Sequence, residues 1–192
     1  MKKFLIAIFA AILFIPAAQA AGEHEGPIRK LVDDQIKGWT ANPVVVAAVK
    51  AQNGEHAGLT QADIDALDKK WRAETEASAK PMIQELLGRP ASKELAGYKN
   101  DGAGLFTEIF VMDNKGLNVA QSDATSDYWQ GDEAKWKKTF LVGPDAVFID
   151  EVEFDESTQT YQAQVSVSIA DPDSGETIGA ITVGVNVELA MQ

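Results

Sequence analysis

Eleven consecutive residues hold the densest chemistry in the chain: Ser126-Asp127-Tyr128-Trp129-Gln130-Gly131-Asp132-Glu133-Ala134-Lys135-Trp136. Aromatic rings, an amide, carboxylates and a lysine crowd a connection between regular elements. Small-molecule pockets combine apolar and aromatic walls with a few fixed polar groups, and this segment offers both. Tyr128, Trp129 and Trp136 are the candidate walls. Gln130 is the directional hydrogen-bonding group, and Lys135 or Lys137 the counter-charge for a carboxylate. Asp132 has two readings: a pocket residue, or a cap on the unpaired N–H groups of the helix that follows. The tryptophans likewise have two, as pocket walls or as plugs over the edge of a sheet.

Elsewhere the residue types argue against catalysis. His24 and His56 are the only two histidines, and both lie in polar, glycine-containing surroundings that read as solvated surface. Neither has a nucleophile or metal-ligand partner at useful spacing. No nucleophile elbow, zinc-protease helix, phosphate loop or dinucleotide fingerprint occurs. The stretch Asp171-Pro172-Asp173-Ser174-Gly175-Glu176 begins like a calcium loop but lacks the bidentate Glu at the twelfth position, so it reads as a turn. The run Asp150-Glu151-Val152-Glu153-Phe154-Asp155-Glu156 reads as an acidic rim, with a weak divalent-cation surface as the alternative. In a regular strand it would put Glu151 and Glu153 on one face and Asp150 and Val152 on the other. No metal site and no cofactor is expected.

The chain has 192 residues, no cysteine and a net charge of −12. Its first 20 residues read as a cleavable export signal. Lys2 and Lys3 precede an apolar run from Phe4 to Ile15, Pro16 breaks the run, and Ala18-Gln19-Ala20 provides the small residues a signal peptidase needs. The run is too short to span a bilayer, which takes about 20 residues. The mature protein is expected to begin near Ala21, free in the periplasm and without membrane insertion. Removing Lys2 and Lys3 leaves 15 basic against 29 acidic residues, a net charge of −14. Such a balance disfavours nucleic acid and anionic membranes. Without cysteine, stability must come from packing alone.

The elements that would position the chemistry change character near residue 100. Ile28, Leu31, Val32, Ile36 and Trp39 recur at helical spacing. Asn42-Pro43 opens a second helix ending at Asn53-Gly54. Thr60 with Asp63 forms a capping box for a third, and Met82 to Leu87 and Ala91 to Tyr98 supply two more. Beyond Asn100-Asp101-Gly102 the period becomes that of strands: Phe106 to Met112, Leu117 to Gln121, Ala146 to Phe154, Gln162 to Ile169 and Thr177 to Leu189. Asp132 to Phe140 has helical composition. The fold class is therefore α+β, an N-terminal helical region (21–103) packed on a five-stranded antiparallel sheet (104–192).

This second half resembles the Cache family of extracytoplasmic sensor domains, whose sheet is PAS-like. The resemblance rests on Phe110-Val111-Met112-Asp113-Asn114-Lys115-Gly116-Leu117-Asn118-Val119-Ala120, Asp127-Tyr128-Trp129-Gln130-Gly131-Asp132-Glu133 and Phe154-Asp155-Glu156-Ser157-Thr158. The closing run Ser174-Gly175-Glu176-Thr177-Ile178-Gly179-Ala180-Ile181-Thr182-Val183-Gly184-Val185-Asn186-Val187 matches too. It implies a solitary, non-enzymatic sensor that binds a small metabolite, carboxylate or amino-acid-like, and signals to a membrane receptor or kinase. Two positions depart from the amino-acid-binding pattern: Ala134 stands where that pattern has Arg, and Asn186 where it has Asp. An interaction module without a small ligand is the alternative function.

Overall fold

A computed structural model describes residues 22–156 and 158–192. The export signal expected at residues 1–20 lies outside them. Among the described residues no helix is long and apolar enough to cross a membrane.

The chain opens with α1 (Glu25–Leu31), a π-helical turn (Val32–Ile36) and α2 (Lys37–Thr40). Ile28, Val32 and Ile36 are all buried, and Trp39 stacks on Tyr98 at 4.8 Å. In α3 (Pro43–Glu55), Asn42 is the N-cap and accepts from Val44 N at 2.8 Å. This helix runs past the expected stop at Asn53-Gly54. Asn53 donates to the Ile178 carbonyl (2.8 Å) and accepts from Asn114 N (2.9 Å), so its side chain ties the helix to the sheet instead of ending it. The capping box of α4 (Gln61–Glu76) forms as the sequence predicts. Prolines occupy the first turns of α5 (Pro81–Gly88) and α6 (Pro90–Asp101). The N-terminus of α5 is capped from a distance: Glu74 accepts from Met82 N (2.7 Å) and Ile83 N (3.2 Å).

The strands are β1 (Phe106–Met112), β2 (Asn118–Gln121), β3 (Val147–Asp155), β4 (Thr160–Ala170) and β5 (Thr177–Asn186), in the order β2-β1-β5-β4-β3 with every neighbour antiparallel. The fold is α+β with a PAS-like sheet. Strand side chains alternate between faces. Ile109 and Val111, Val165 and Val167, Ile181 and Val183 point one way and share an apolar cluster with Ile28, Val32, Val45, Val49 and Leu95 of the helices. Residues between them point the other way. Cross-strand register sets these into rows: Glu108–Gly184–Gln164, then Phe110–Thr182–Ser166, then Met112–Ala180–Ser168.

Two expected elements are shorter than their sequence suggests. Of the helical stretch Asp132 to Phe140, only α7 (Ala134–Lys137) is helical. Thr139 Oγ1 bonds the Lys135 carbonyl at 2.5 Å and the turn ends there. β5 stops at Asn186, whose side chain accepts from Leu189 N (3.2 Å) and caps a last short helix, α8 (Val187–Ala190). The segment Asp171 to Glu176 is a hydrogen-bonded turn held to α3 by Lys50, 2.8 Å from Asp171.

Candidate functional site

The second face of the sheet is covered by the connection from Ser122 to Val147, and α4 holds the first part of that connection in place. Trp71, fully buried, donates its indole N–H to the Thr125 carbonyl (2.9 Å) and stacks on Tyr128 at 5.4 Å. Asp68 accepts from Tyr128 N (2.9 Å) and Trp129 N (3.1 Å), and Arg72 reaches Asp127 at 3.0 Å. Trp129 donates its indole N–H to the Lys115 carbonyl at 2.9 Å, and Leu117 and Trp129 form a β-bridge. Gly116 adopts a positive φ of 80°, and a Cβ there would lie 2.4 Å from the Gly131 backbone. Turn and connection therefore meet backbone to backbone. Burial pushes the Tyr128 hydroxyl pKa up, as expected for a phenol sealed among side chains.

The residues singled out from sequence consequently divide into four groups. Tyr128 and Trp129 pack their side chains against Leu117 and side chains of α4 and α5, while the Tyr128 carbonyl accepts from Asn118 N of β2 at 3.0 Å. Trp136 packs on Phe110, Met112 and Ala180, stacks on Phe140 at 4.9 Å and donates to the Asp113 carbonyl at 3.1 Å. It roofs the apolar end of the second face. Asp132 and Lys137 are exposed, with Lys137 Nζ returning to the Asp132 carbonyl at 2.5 Å. Gln130 and Lys135 face a cleft of about 430 Å³ over the Glu108 row.

The floor of that cleft is Glu108, Phe110, Gln162 and Gln164, and its wall is the connection from Ala124 to Asp127 together with Gln130 and Lys135. Gly184 makes the floor possible. A Cβ there would come within 2.2 Å of Thr107 Oγ1 and 2.9 Å of Glu108 Cγ. Because it is bare, Gln164 on β4 donates across it to Glu108 on β1 at 2.7 Å. Thr107 donates to Gln162 over the same strand. Burial raises the Glu108 carboxyl above its ordinary range, opposed by the bond from Gln164 and the charge of Lys135. Gln130 is fixed on both sides: its Nε2 donates to Asp127 at 2.6 Å, and its Oε1 lies 3.3 Å from Lys135 Nζ. Lys135 also pairs with Glu133 at 2.8 Å and lies 5.5 Å from the centre of the Phe110 ring.

A second hollow of about 310 Å³ shares Lys135, Gln162 and Gln164 and extends the cleft along β3. The acidic run lies here, differently from its expected alternation. A bulge between Ile149 and Val152 interrupts the pleat, and Asp150, Glu151 and Glu153 all border the hollow. Sequence reasoning missed Glu108, Gln162 and Gln164. Their only signal was a polar residue at every second strand position, which reads equally well as a wet face.

A larger groove of about 630 Å³ lies on the helical side between α3 and the α5–α6 junction, walled by Ala47, Ala51, Pro43 and Pro90. Its polar end is internally satisfied: Arg89 donates to Gln52 Oε1 (2.8 Å) and to the Val119 carbonyl (3.1 Å), and binds Glu85. Gln52 in turn donates to Asp113 at 3.0 Å, beside His56 Nδ1 at 2.9 Å. His56 is thus not the solvated surface residue its neighbours in sequence suggest. Asp113 is fully buried and accepts from Lys115 N and Leu117 N as well, so this histidine–carboxylate pair is occupied in holding the β1–β2 turn.

No family model matches the chain, and no curated protein does. Among solved structures the chain is similar in fold to ligand-binding and sensor domains of chemoreceptors and histidine kinases. The ligand-binding domain of the Campylobacter jejuni chemoreceptor Tlp3, in complex with 4-methylisoleucine, is 14% identical at a TM-score of 0.39, over 89% of this chain and 63% of that one. The sensor domain of the V. cholerae histidine kinase DctB is 13% identical at 0.39, over 77% and 59%. The E. coli DcuS sensor domain is 21% identical at 0.39, over 67% and 94%. The chain thus spans about three-fifths of the length of the first two domains.

Proposed function

We propose that the protein is a periplasmic, non-enzymatic sensor that binds a small molecule between the second face of its sheet and the connection from Ala124 to Lys135, and reports the bound state to a membrane receptor or kinase. The observation that carries this reading is the cleft itself. It has the size of a metabolite site, and it combines one aromatic surface with a few polar groups whose orientations are fixed by bonds to their neighbours. Gln130 and Lys135 are the ligand-facing residues of the connection, and Glu108, Gln162 and Gln164 those of the sheet. Trp136 acts beside them, closing the rest of the face. The periplasmic assignment rests on the N-terminal sequence.

A thermal-shift screen of small metabolites against the mature protein tests the proposal. A ligand at 100 times its Kd should stabilise the fold by about 2.7 kcal/mol. Gln130→Ala should weaken a confirmed ligand while leaving the protein folded. Unchanged affinity in that variant would place the ligand outside this cleft, and no stabilisation across a broad screen would remove the small-molecule reading. Location is tested separately: an intact mass retaining residues 1–20 after expression in a Gram-negative host would exclude export by signal cleavage.

A further inference from the structure

We infer that the ligand of this cleft is a small organic cation, carrying a protonated amine or guanidinium and no net negative charge. The inference rests on the sensor reading above and deepens it. Glu108, Asp127 and Asp155 line the cleft with one lysine, and Asp150, Glu151, Glu153 and Glu133 border the hollow that extends it. These carboxylates border two adjoining hollows; Arg72 offsets Asp127 and Lys135 offsets Glu133, and the remaining acidic groups outnumber the basic ones there. The field there opposes a carboxylate and favours an ammonium.

The hydrogen-bond inventory points the same way. The Gln164 amide donates to Glu108 and the Gln130 amide to Asp127, while the Lys135 ammonium is engaged by Glu133 and the Gln130 oxygen. The donors of Gln164, Gln130 and Lys135 that an anionic ligand would need are thus already committed within the protein, which leaves the Gln162 amide N–H as the neutral exception. Lys135 itself shows what the cleft accommodates. Its ammonium sits among a carboxylate, an amide oxygen and the Phe110 ring, a set of partners suited to an alkylammonium. A ligand amine would find similar chemistry beside Glu108, with Gln162 Oε1, which already accepts from Thr107, as a second acceptor.

Titration calorimetry and thermal shift on the mature protein at low salt test the inference, with putrescine, agmatine and L-arginine as cationic probes and acetate and succinate as anionic ones. At least one cationic probe should bind with dose-dependent stabilisation, and the anions should not. Glu108→Gln should weaken that probe by about tenfold or more, the scale of a lost charge-assisted bond. Glu151→Gln on the rim should change it by less than about twofold, which separates a site from general attraction to an acidic surface. Lys135→Gln should preserve or tighten cation binding. Succinate or acetate binding that Lys135→Gln abolishes would overturn the cation inference and leave the sensor reading standing. Absence of binding by every cationic probe at millimolar concentration would also overturn it, whereas the sensor reading falls only with the broad metabolite screen. Equal losses in Glu108→Gln and Glu151→Gln would reduce the effect to surface charge and overturn it as well.

Discussion

The two faces of one five-stranded sheet are built from adjacent residues of the same strands, yet they differ in almost every physical respect. Toward the helices, β1, β4 and β5 present Ile109, Val111, Val165, Val167, Ile181 and Val183, all buried in one apolar cluster. Toward the Ser122–Val147 connection they present Glu108, Gln164, Ser166, Ser168 and Thr182. The first face stabilises through apolar area removed from water, at about 25 cal/mol per Å². On the second, burial calls for a partner for each polar group; Ser166 and Thr182 supply one for each other at 2.9 Å, while Ser168 Oγ has none among the described residues. Stability therefore resides mainly on one side of the sheet, the proposed function puts recognition on the other, and substitutions should separate the two.

The largest effect should come from the side chain that joins them. Trp71 is fully buried, stacks on Tyr128 and bonds the Thr125 carbonyl. Trp71→Ala should cost about 3–5 kcal/mol in urea unfolding. It should also loosen the wall of the cleft, seen as faster amide exchange at Tyr128 and Trp129. A loss below about 1 kcal/mol would mean that the connection is held by its own contacts, and the division between faces would need redrawing. Ile181→Ala, on the helical face, should cost about 2–5 kcal/mol. Affinity for a confirmed ligand should remain unchanged so long as the variant is folded.

Most of the fold was legible in the sequence, because the signals for it are local. Phe106 to Met112 emerged as a strand at its predicted bounds, and the Thr60–Asp63 capping box opened its helix. Where expectation and structure part, a residue distant in sequence decides. Asn53 looked like a helix stop until Ile178 and Asn114 used its side chain for another purpose. Tyr128 and Trp129 looked like pocket walls, but Asp68 and Trp71, some 60 residues earlier, draw them into the helical layer. His56 looked solvated because its partner, Asp113, lies 57 residues away. The cleft was half visible: Gln130 and Lys135 stood out in a conspicuous segment, whereas Glu108, Gln162 and Gln164 looked like the wet positions of ordinary strands. Periodicity shows which residues share a face, but not what will cover it.

Gly184→Ala probes the floor where the two demands meet. The added methyl would collide with Thr107 Oγ1 and Glu108 Cγ, forcing β1 and β4 side chains apart. A cost of about 1–3 kcal/mol is expected, typical of overpacking. The bond from Gln164 to Glu108 should break with it, so ligand affinity and stability should fall together here and only here on the floor. Unchanged affinity in this variant would show that the Glu108 row does not touch the ligand.

The smallest effect, and the sharpest on the polar face, concerns Glu108 and pH. Burial holds its carboxyl above the ordinary Glu value of 4.5 in the folded protein, although Gln164 and Lys135 both favour its ionised form. The folded state therefore retains this proton over a pH range in which the unfolded chain has released it. Stability from this group is fully present below about 4.5 and is lost as pH rises through the folded-state value. Glu108→Gln can keep the bond from Gln164, since a Gln oxygen accepts as a carboxylate does, and it carries no charge to bury. The variant should be more stable than the native protein at pH 7, and the difference should vanish below pH 4.5. Lys135, Asp155, Asp123 and Asp127 are present in both proteins, so subtracting the two stability profiles removes most of their titration. Urea midpoints from pH 4 to 8 would measure it. A variant less stable at pH 7 would mean that the ionised carboxylate is well paired in the empty cleft, with no electrostatic deficit for a cation to fill.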